Sequence, residues 1–137
     1  MRSPSKLGRS ALALIVGGTM FLVLMGVLGA ALAMGGAGAW ESLDSDMRAT
    51  LVATQAGGGF AAGFFGGYAA GMVANRLGAG RADLHGLALA AFWIALNVWG
   101  VLMSEERYLL AEWPVALPVG GLWFGGWAAR AMRATLP

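Results

Sequence analysis

The stretch from Gly57 to Gly71, GGGFAAGFFGGYAAG, is uncharged and contains seven glycines and four aromatic residues. Glycine destabilises the interior of a water-soluble helix by about 0.8–1 kcal/mol relative to alanine. Inside a membrane, helices associate by close packing, and small residues spaced four apart let two backbones approach each other. The stretch therefore predicts a helix that packs tightly in an apolar environment.

On a helix, this region has three ridges of residues spaced four apart. The first ridge consists of Gly59, Gly63, Gly67 and Gly71. Together with Gly121 and Gly125, which have the same spacing in the last apolar segment, it forms the predicted helix-packing interface. Beside it runs a second ridge of small residues: Gly58, Ala62, Gly66, Ala70 and Ala74. A third ridge is bulky: Phe60, Phe64, Tyr68 and Met72. Packing inside one bundle is the leading interpretation, and homo-oligomerisation through this face and a glycine-lined pore are the alternatives.

The composition places the chain among membrane proteins. Of its 137 residues, 58% are hydrophobic and only 12% are charged, and the mean hydropathy is +0.69. A soluble domain is usually about 25% charged. The absence of cysteine excludes disulfides and thiolate metal sites. The pI of about 9.7 comes from nine Lys and Arg in short clusters, which is not the pattern of a nucleic-acid-binding protein.

Four long uncharged stretches predict a single all-α domain, residues 1–137, with four transmembrane helices. A helix needs about 17–25 residues to cross the hydrocarbon core. The predicted spans are residues 10–35, 50–74, 84–103 and 114–132. The first apolar run exceeds the ~7–15 residues of a signal-peptide core, so we expect it to be retained as a helix.

The charges predict a bacterial inner-membrane protein with both termini in the cytoplasm. In that orientation seven of the nine basic residues lie inside: Arg2, Lys6, Arg9, Arg76, Arg81, Arg130 and Arg133. Of the acidic residues, only Asp83 lies inside. This distribution satisfies the positive-inside rule at every boundary.

A short repeat raises the possibility of duplication. Residues 65–70 read FGGYAA and residues 124–129 read FGGWAA, each late in an outside-to-inside segment. The chain could be two hairpins related as parallel repeats, as in some transporters. Chance similarity in a glycine-rich sequence is the alternative.

The polar residues within the spans are few. From their depths we predict an interhelical hydrogen bond between Gln55 and Asn97, with a ligand or ion site as the alternative. His85, the only histidine, is predicted at the membrane interface. No nucleophile–base pair, paired carboxylates, phosphate-binding loop or metal-ligand cluster is present, so the sequence predicts no catalytic, cofactor or metal site.

Residues 58–87 contain a pattern that resembles small uncharacterised four-helix bacterial membrane proteins. The pattern is a GG-x-x-AG helix at Gly66–Gly71, a basic inner loop with Arg76 and Arg81, and a following His85-Gly86. The resemblance implies the same four-helix fold and no known activity.

These features together predict a non-catalytic protein surrounded by the lipid bilayer. We expect it to be an accessory or assembly subunit packed, through small-residue helix faces, against a larger membrane complex. The alternative is a minimal oligomeric channel or small-solute transporter. The two differ in whether Thr19, Gln55 and Asn97 line a wet cavity or pair in a dry one.

Overall fold

The computed structural model describes residues 5–35, 41–103 and 113–135, which form four helices and no strand. The helices are α1 (Lys6–Met34), α2 (Ser45–Leu77), α3 (Ala82–Met103) and α4 (Trp113–Thr135). Each predicted span falls on one of these helices. The all-α class and the number of helices are confirmed.

Two of the helices are long and apolar enough to cross a membrane. These are α1, with a mean hydropathy of 2.5, and the Ala82–Gly100 part of α3, with 1.3. The other two helices lack this signal because glycine, abundant in both, adds no apolar side chain. Length and composition therefore identify two candidate spans, and the four-span arrangement is a proposal.

Local sequence determines where the helices begin and end. The Ser5 hydroxyl accepts a hydrogen bond from the Gly8 amide at the start of α1, and Asp44 accepts one from the Met47 amide at the start of α2. At the end of α2, Gly78 adopts the left-handed conformation with φ 61°. Glycine adopts this conformation without steric cost, so the chain turns there into the short connection to α3.

The second helix is the centre of the bundle. It packs along α1 on one side and along α4 on the other, and α3 packs mainly against α4, whereas α1 and α3 touch little. The helices α1 and α2 are antiparallel, and α2 and α4 are parallel. The largest fully buried side chains, Leu122 and Pro118, are on α4. Pro118 lies inside this helix, where its ring packs over Gly59.

Candidate functional site

The first glycine ridge of α2 lies directly against α4. A Cβ atom placed on Gly67 would lie 2.8 Å from the carbonyl carbon of Leu122, and one on Gly63 would lie 3.0 Å from the Leu122 nitrogen. From the other side, a Cβ on Gly125 would lie 2.7 Å from the Tyr68 nitrogen. All six glycines of the predicted interface are buried: Gly59, Gly63, Gly67, Gly71, Gly121 and Gly125. The two helices thus meet backbone to backbone, as the small-residue spacing favours.

The second small-residue ridge of α2 lies against α1. A Cβ on Gly66 would lie 2.6 Å from the Cβ of Phe21, and one on Gly17 would lie 2.5 Å from the Cβ of Ala70. Both ridges of α2 are therefore covered by neighbours in the same chain. A partner protein or a second copy would have to bind to another surface.

The repeated motifs do not make equivalent contacts. Aligning FGGYAA with FGGWAA pairs Gly66 with Gly125 and Gly67 with Gly126. Gly66 packs on α1, its own hairpin partner, whereas Gly125 packs on α2 of the other hairpin. Gly67 packs on α4 of the other hairpin, whereas Gly126 packs on α3, its own hairpin partner. Neighbouring residues on a helix point about 100° apart, so the corresponding glycines of the two motifs face different neighbouring helices. The motif match therefore does not mark equivalent positions of two repeated hairpins.

The bulky ridge of α2 lines the outer edge of the α2–α4 contact. The Phe64 ring stacks on Tyr68 with the ring centroids 6.0 Å apart, and it lies 6.0 Å from Phe124 of α4. The Tyr68 hydroxyl donates to the Met132 sulfur at 2.9 Å. Phe60 is 38% exposed. This ridge is thus partly open to the surroundings and partly packed on α4.

The predicted hydrogen bond between Gln55 and Asn97 is absent from the described structure. The Asn97 Nδ2 atom donates instead to the Trp93 carbonyl at 2.8 Å, within its own helix. A polar side chain can satisfy itself on the carbonyl four residues back without a partner from another helix. Thr19 lies elsewhere, in an apolar groove between α1 and α3.

Polar side chains tie the four helices together at the end that carries the α2–α3 connection. Arg9 of α1 donates to the Leu77 carbonyl at 2.8 Å, and Asn75 of α2 donates to the Ala129 carbonyl of α4 at 2.9 Å. The last carbonyls of a helix lack partners within it, so Arg9 also satisfies the end of α2.

An ion-pair network joins α3 to α4 at the same end. Asp83 accepts hydrogen bonds from Arg81 at 2.6 Å and from Arg130 at 2.9 Å. The pKa of the Asp83 carboxyl is lowered to about 2, chiefly by the hydrogen bond from Arg81 and also by the charge of Arg130, against the opposing effect of partial burial. The same hydrogen bond raises the pKa of the Arg81 guanidinium. The only acidic residue predicted inside is thus held as a carboxylate between two cations.

His85 is more buried than its predicted interfacial position suggests. Only 7% of its surface is exposed, and its Nδ1 atom lies 2.9 Å from the Arg81 carbonyl. Because a carbonyl only accepts, we assign the proton to Nδ1. His85 therefore stabilises the first turn of α3 and the loop before it. No group of three or more His, Cys, Asp or Glu side chains that could hold a metal ion occurs within the described ranges.

Two adjoining grooves run between α1 and α3. The first groove is apolar, has a volume of about 400 Å³, and includes Phe21 and Trp93, whose rings meet edge to face at 5.0 Å. The second groove, about 500 Å³, opens at the basic end, and Lys6 and Arg81 line it. We call the pair the α1–α3 groove and its basic part the mouth.

Several contact residues lie outside the predicted set. Gly17 and Gly86 contact neighbouring helices as closely as the predicted glycines do, and two glycines of α2 pack against Leu122. The four-residue spacing of Ala13, Gly17 and Phe21, all buried, is a signal that could have identified the α1 face. Arg9 and Asn75 had no such signal, because each donates to a carbonyl distant in the sequence.

Comparison with family models, curated proteins and solved structures finds no match to this chain. The resemblance to small four-helix membrane proteins gains no support from these comparisons and stays an expectation.

Proposed function

We propose that this chain is a four-span inner-membrane protein that acts as an accessory or assembly subunit of a larger membrane complex and has no catalytic site of its own. The membrane location is supported first by α1 and α3, which have the length and composition of spans. The helix α2 runs beside α1 along its length, since Arg9 reaches Leu77 at one end and Gly35 lies near Leu51 at the other. A bilayer that contains α1 would therefore also contain α2, together with the tightly joined α4.

The proposed orientation has both termini in the cytoplasm. At the end with the α2–α3 connection, the described residues include six cations and a single carboxylate: Lys6, Arg9, Arg76, Arg81, Arg130, Arg133 and Asp83. Cytoplasmic ends of membrane proteins carry this excess of Lys and Arg. The opposite end has acidic residues in its described part, among them Asp44 and Asp46.

The observation that carries the accessory role is the uncovered surface of α1. This helix has the higher hydropathy of the two candidate spans, yet only Ala13, Gly17 and Phe21 of its 29 residues are buried. In its outer half, Gly26 and Gly29 have no neighbouring atom within 4 Å of the position of a Cβ. Exposed small residues of this kind let the backbone of a partner helix approach closely.

The positions of the polar residues support a subunit over a solute pathway. Thr19 lines the apolar groove and Asn97 is satisfied by its own helix. Gln55 does not line any groove described above. These three residues thus do not gather into one polar cavity within the described part of the chain, and a pathway for polar solutes needs such a lining.

The test is extraction of the tagged full-length chain in a mild detergent, followed by quantitative identification of co-purifying membrane proteins. We expect a stoichiometric partner. Gly29→Leu should release it, because the added side chain occupies the approach surface. The matched control is Gly57→Leu on α2, another glycine with no atom near the position of a Cβ. Recovery of the chain alone, or only as copies of itself, would contradict the accessory role.

A further inference from the structure

We propose that the α1–α3 groove binds an anionic phospholipid of the cytoplasmic leaflet, with one acyl chain along the apolar part and the headgroup phosphate at the mouth. This inference rests on the proposed membrane location and goes beyond the accessory role. It assigns a ligand class to a surface that the helix contacts leave open.

The two parts of the groove form one continuous path. Leu14 of α1 and Ala88 of α3 line both the apolar part and the mouth. Beyond them the apolar part continues past Gly18 to Phe21 and Trp93. A ligand with a polar head and an apolar tail could therefore lie in it without a break.

The length of the apolar part fits one leaflet. From Leu14 to Leu22, both lining residues, α1 rises about 12 Å at 1.5 Å per residue. Half of a hydrocarbon core of about 30 Å is about 15 Å. The groove begins at the basic end, which is the proposed cytoplasmic surface. An acyl chain of the inner leaflet therefore has the length and the direction that the groove requires.

The charge at the mouth complements a phosphate. Lys6 is exposed and makes no ion pair with another described residue. The Arg81 side chain is 59% exposed, and its carboxylate partner Asp83 is shared with Arg130. Two cations bound to a single carboxylate leave positive charge at this surface. Basic residues near the membrane surface attract anionic lipids.

The experiment measures lipid retention by the full-length chain. The purified protein is mixed with phosphatidylglycerol or phosphatidylcholine of the same acyl chains and analysed by native mass spectrometry. We expect one phosphatidylglycerol to be retained preferentially. Lys6→Gln should reduce that preference about fivefold, the effect of one surface cation. Arg133→Gln is the matched control, because it removes a cation from the same end that lines a different groove.

A second pair of variants tests the apolar part. Gly18→Leu should fill the groove and abolish retention of both lipids; a Cβ there meets only Leu89, at 3.5 Å, so the bundle should still fold. Gly57→Leu makes the same change on α2, outside the groove and at a position with no neighbour within 4 Å, and it should retain lipid normally. Equal retention by the two variants would overturn the proposal.

Two further outcomes separate the possible errors. Displacement of the lipid by inorganic phosphate alone would show an anion site without a chain-binding groove, and it would overturn the proposal. If the parent protein purifies with a stoichiometric partner but retains phosphatidylglycerol no better than phosphatidylcholine, the lipid site would be overturned and the accessory role would stand. Recovery of the chain outside the membrane fraction would overturn both.

Discussion

Gly67→Ala is the substitution that best tests the backbone contact between α2 and α4. The added Cβ would lie 2.8 Å and 2.9 Å from the carbonyl carbon and the Cα of Leu122, and closer still to its carbonyl oxygen. Carbon atoms pack best at about 3.5–4.0 Å. Because all three neighbouring atoms belong to the backbone, no side-chain rotation can relieve the overlap, and the two helices must separate by at least about 0.5 Å.

The expected cost is that of overpacking, about 1–3 kcal/mol. Replacing glycine by alanine also gains helix propensity, by up to about 1 kcal/mol in water. Gly57→Ala corrects for this gain, since Gly57 is on the same helix and a Cβ there meets no atom within 4 Å. The difference between the two variants therefore isolates the contact.

The assay is reversible unfolding of the two variants in the same detergent micelles, with the free energies of unfolding compared. We expect Gly67→Ala to be less stable than Gly57→Ala by about 1–3 kcal/mol. Gly67→Leu should disrupt the bundle, whereas Phe64→Leu should be milder because it keeps the backbone that Gly125 contacts. Equal stability of the two alanine variants would refute the backbone-to-backbone contact.

Three further predictions concern orientation, acid stability and the side-chain amide of Asn97. In intact cells, an impermeant thiol reagent should label Ser45→Cys and not Ala134→Cys; the reverse pattern would invert the topology, and the chain has no native cysteine to interfere. The pKa of Asp83 is lowered to about 2, chiefly by its hydrogen bond from Arg81. Its contribution to stability is therefore present above the unfolded value of about 3.9 and is lost as the pH falls toward 2, so thermal unfolding should show this acid dependence in the parent but not in Asp83→Asn. Asn97→Leu should change the free energy of unfolding by no more than about 0.6 kcal/mol, because its hydrogen bond lies within its own helix; complete loss of function at normal abundance would instead indicate a solute pathway.

Most of the helix packing follows from spacing that is visible in the sequence. The two small-residue ridges of α2 predict a helix with close neighbours, because residues four apart share a helix face. The structure places α4 on the ridge of Gly63 and Gly67, and α1 on the ridge of Gly66 and Ala70. Which neighbour takes which ridge could not be predicted, because helix periodicity contains no information about segments distant in the chain.

The contacts of the polar residues, in contrast to the helix packing, did not follow from the sequence. Similar depth in two helices suggested that Gln55 and Asn97 would pair, but Asn97 donates its hydrogen bond to the Trp93 carbonyl, four residues back in its own helix. The ion pair of Asp83 with Arg130 joins residues 47 positions apart, and neither is marked by a motif. Hydrogen-bond partners depend on distances of a few tenths of an ångström, which depth along a helix does not determine.

The amino-acid sequence by itself determined the all-α class, the positions of the four helices and the charge asymmetry between the two ends. These properties are local, since each depends on residues within a few turns of one another. Only the tertiary structure decided that the FGGYAA and FGGWAA motifs differ in their contacts, that His85 is buried, and that an apolar groove with a basic mouth lies between α1 and α3. The groove exists because α1 and α3 each pack on other helices and hardly on each other, which is a property of the assembled bundle and of no single segment.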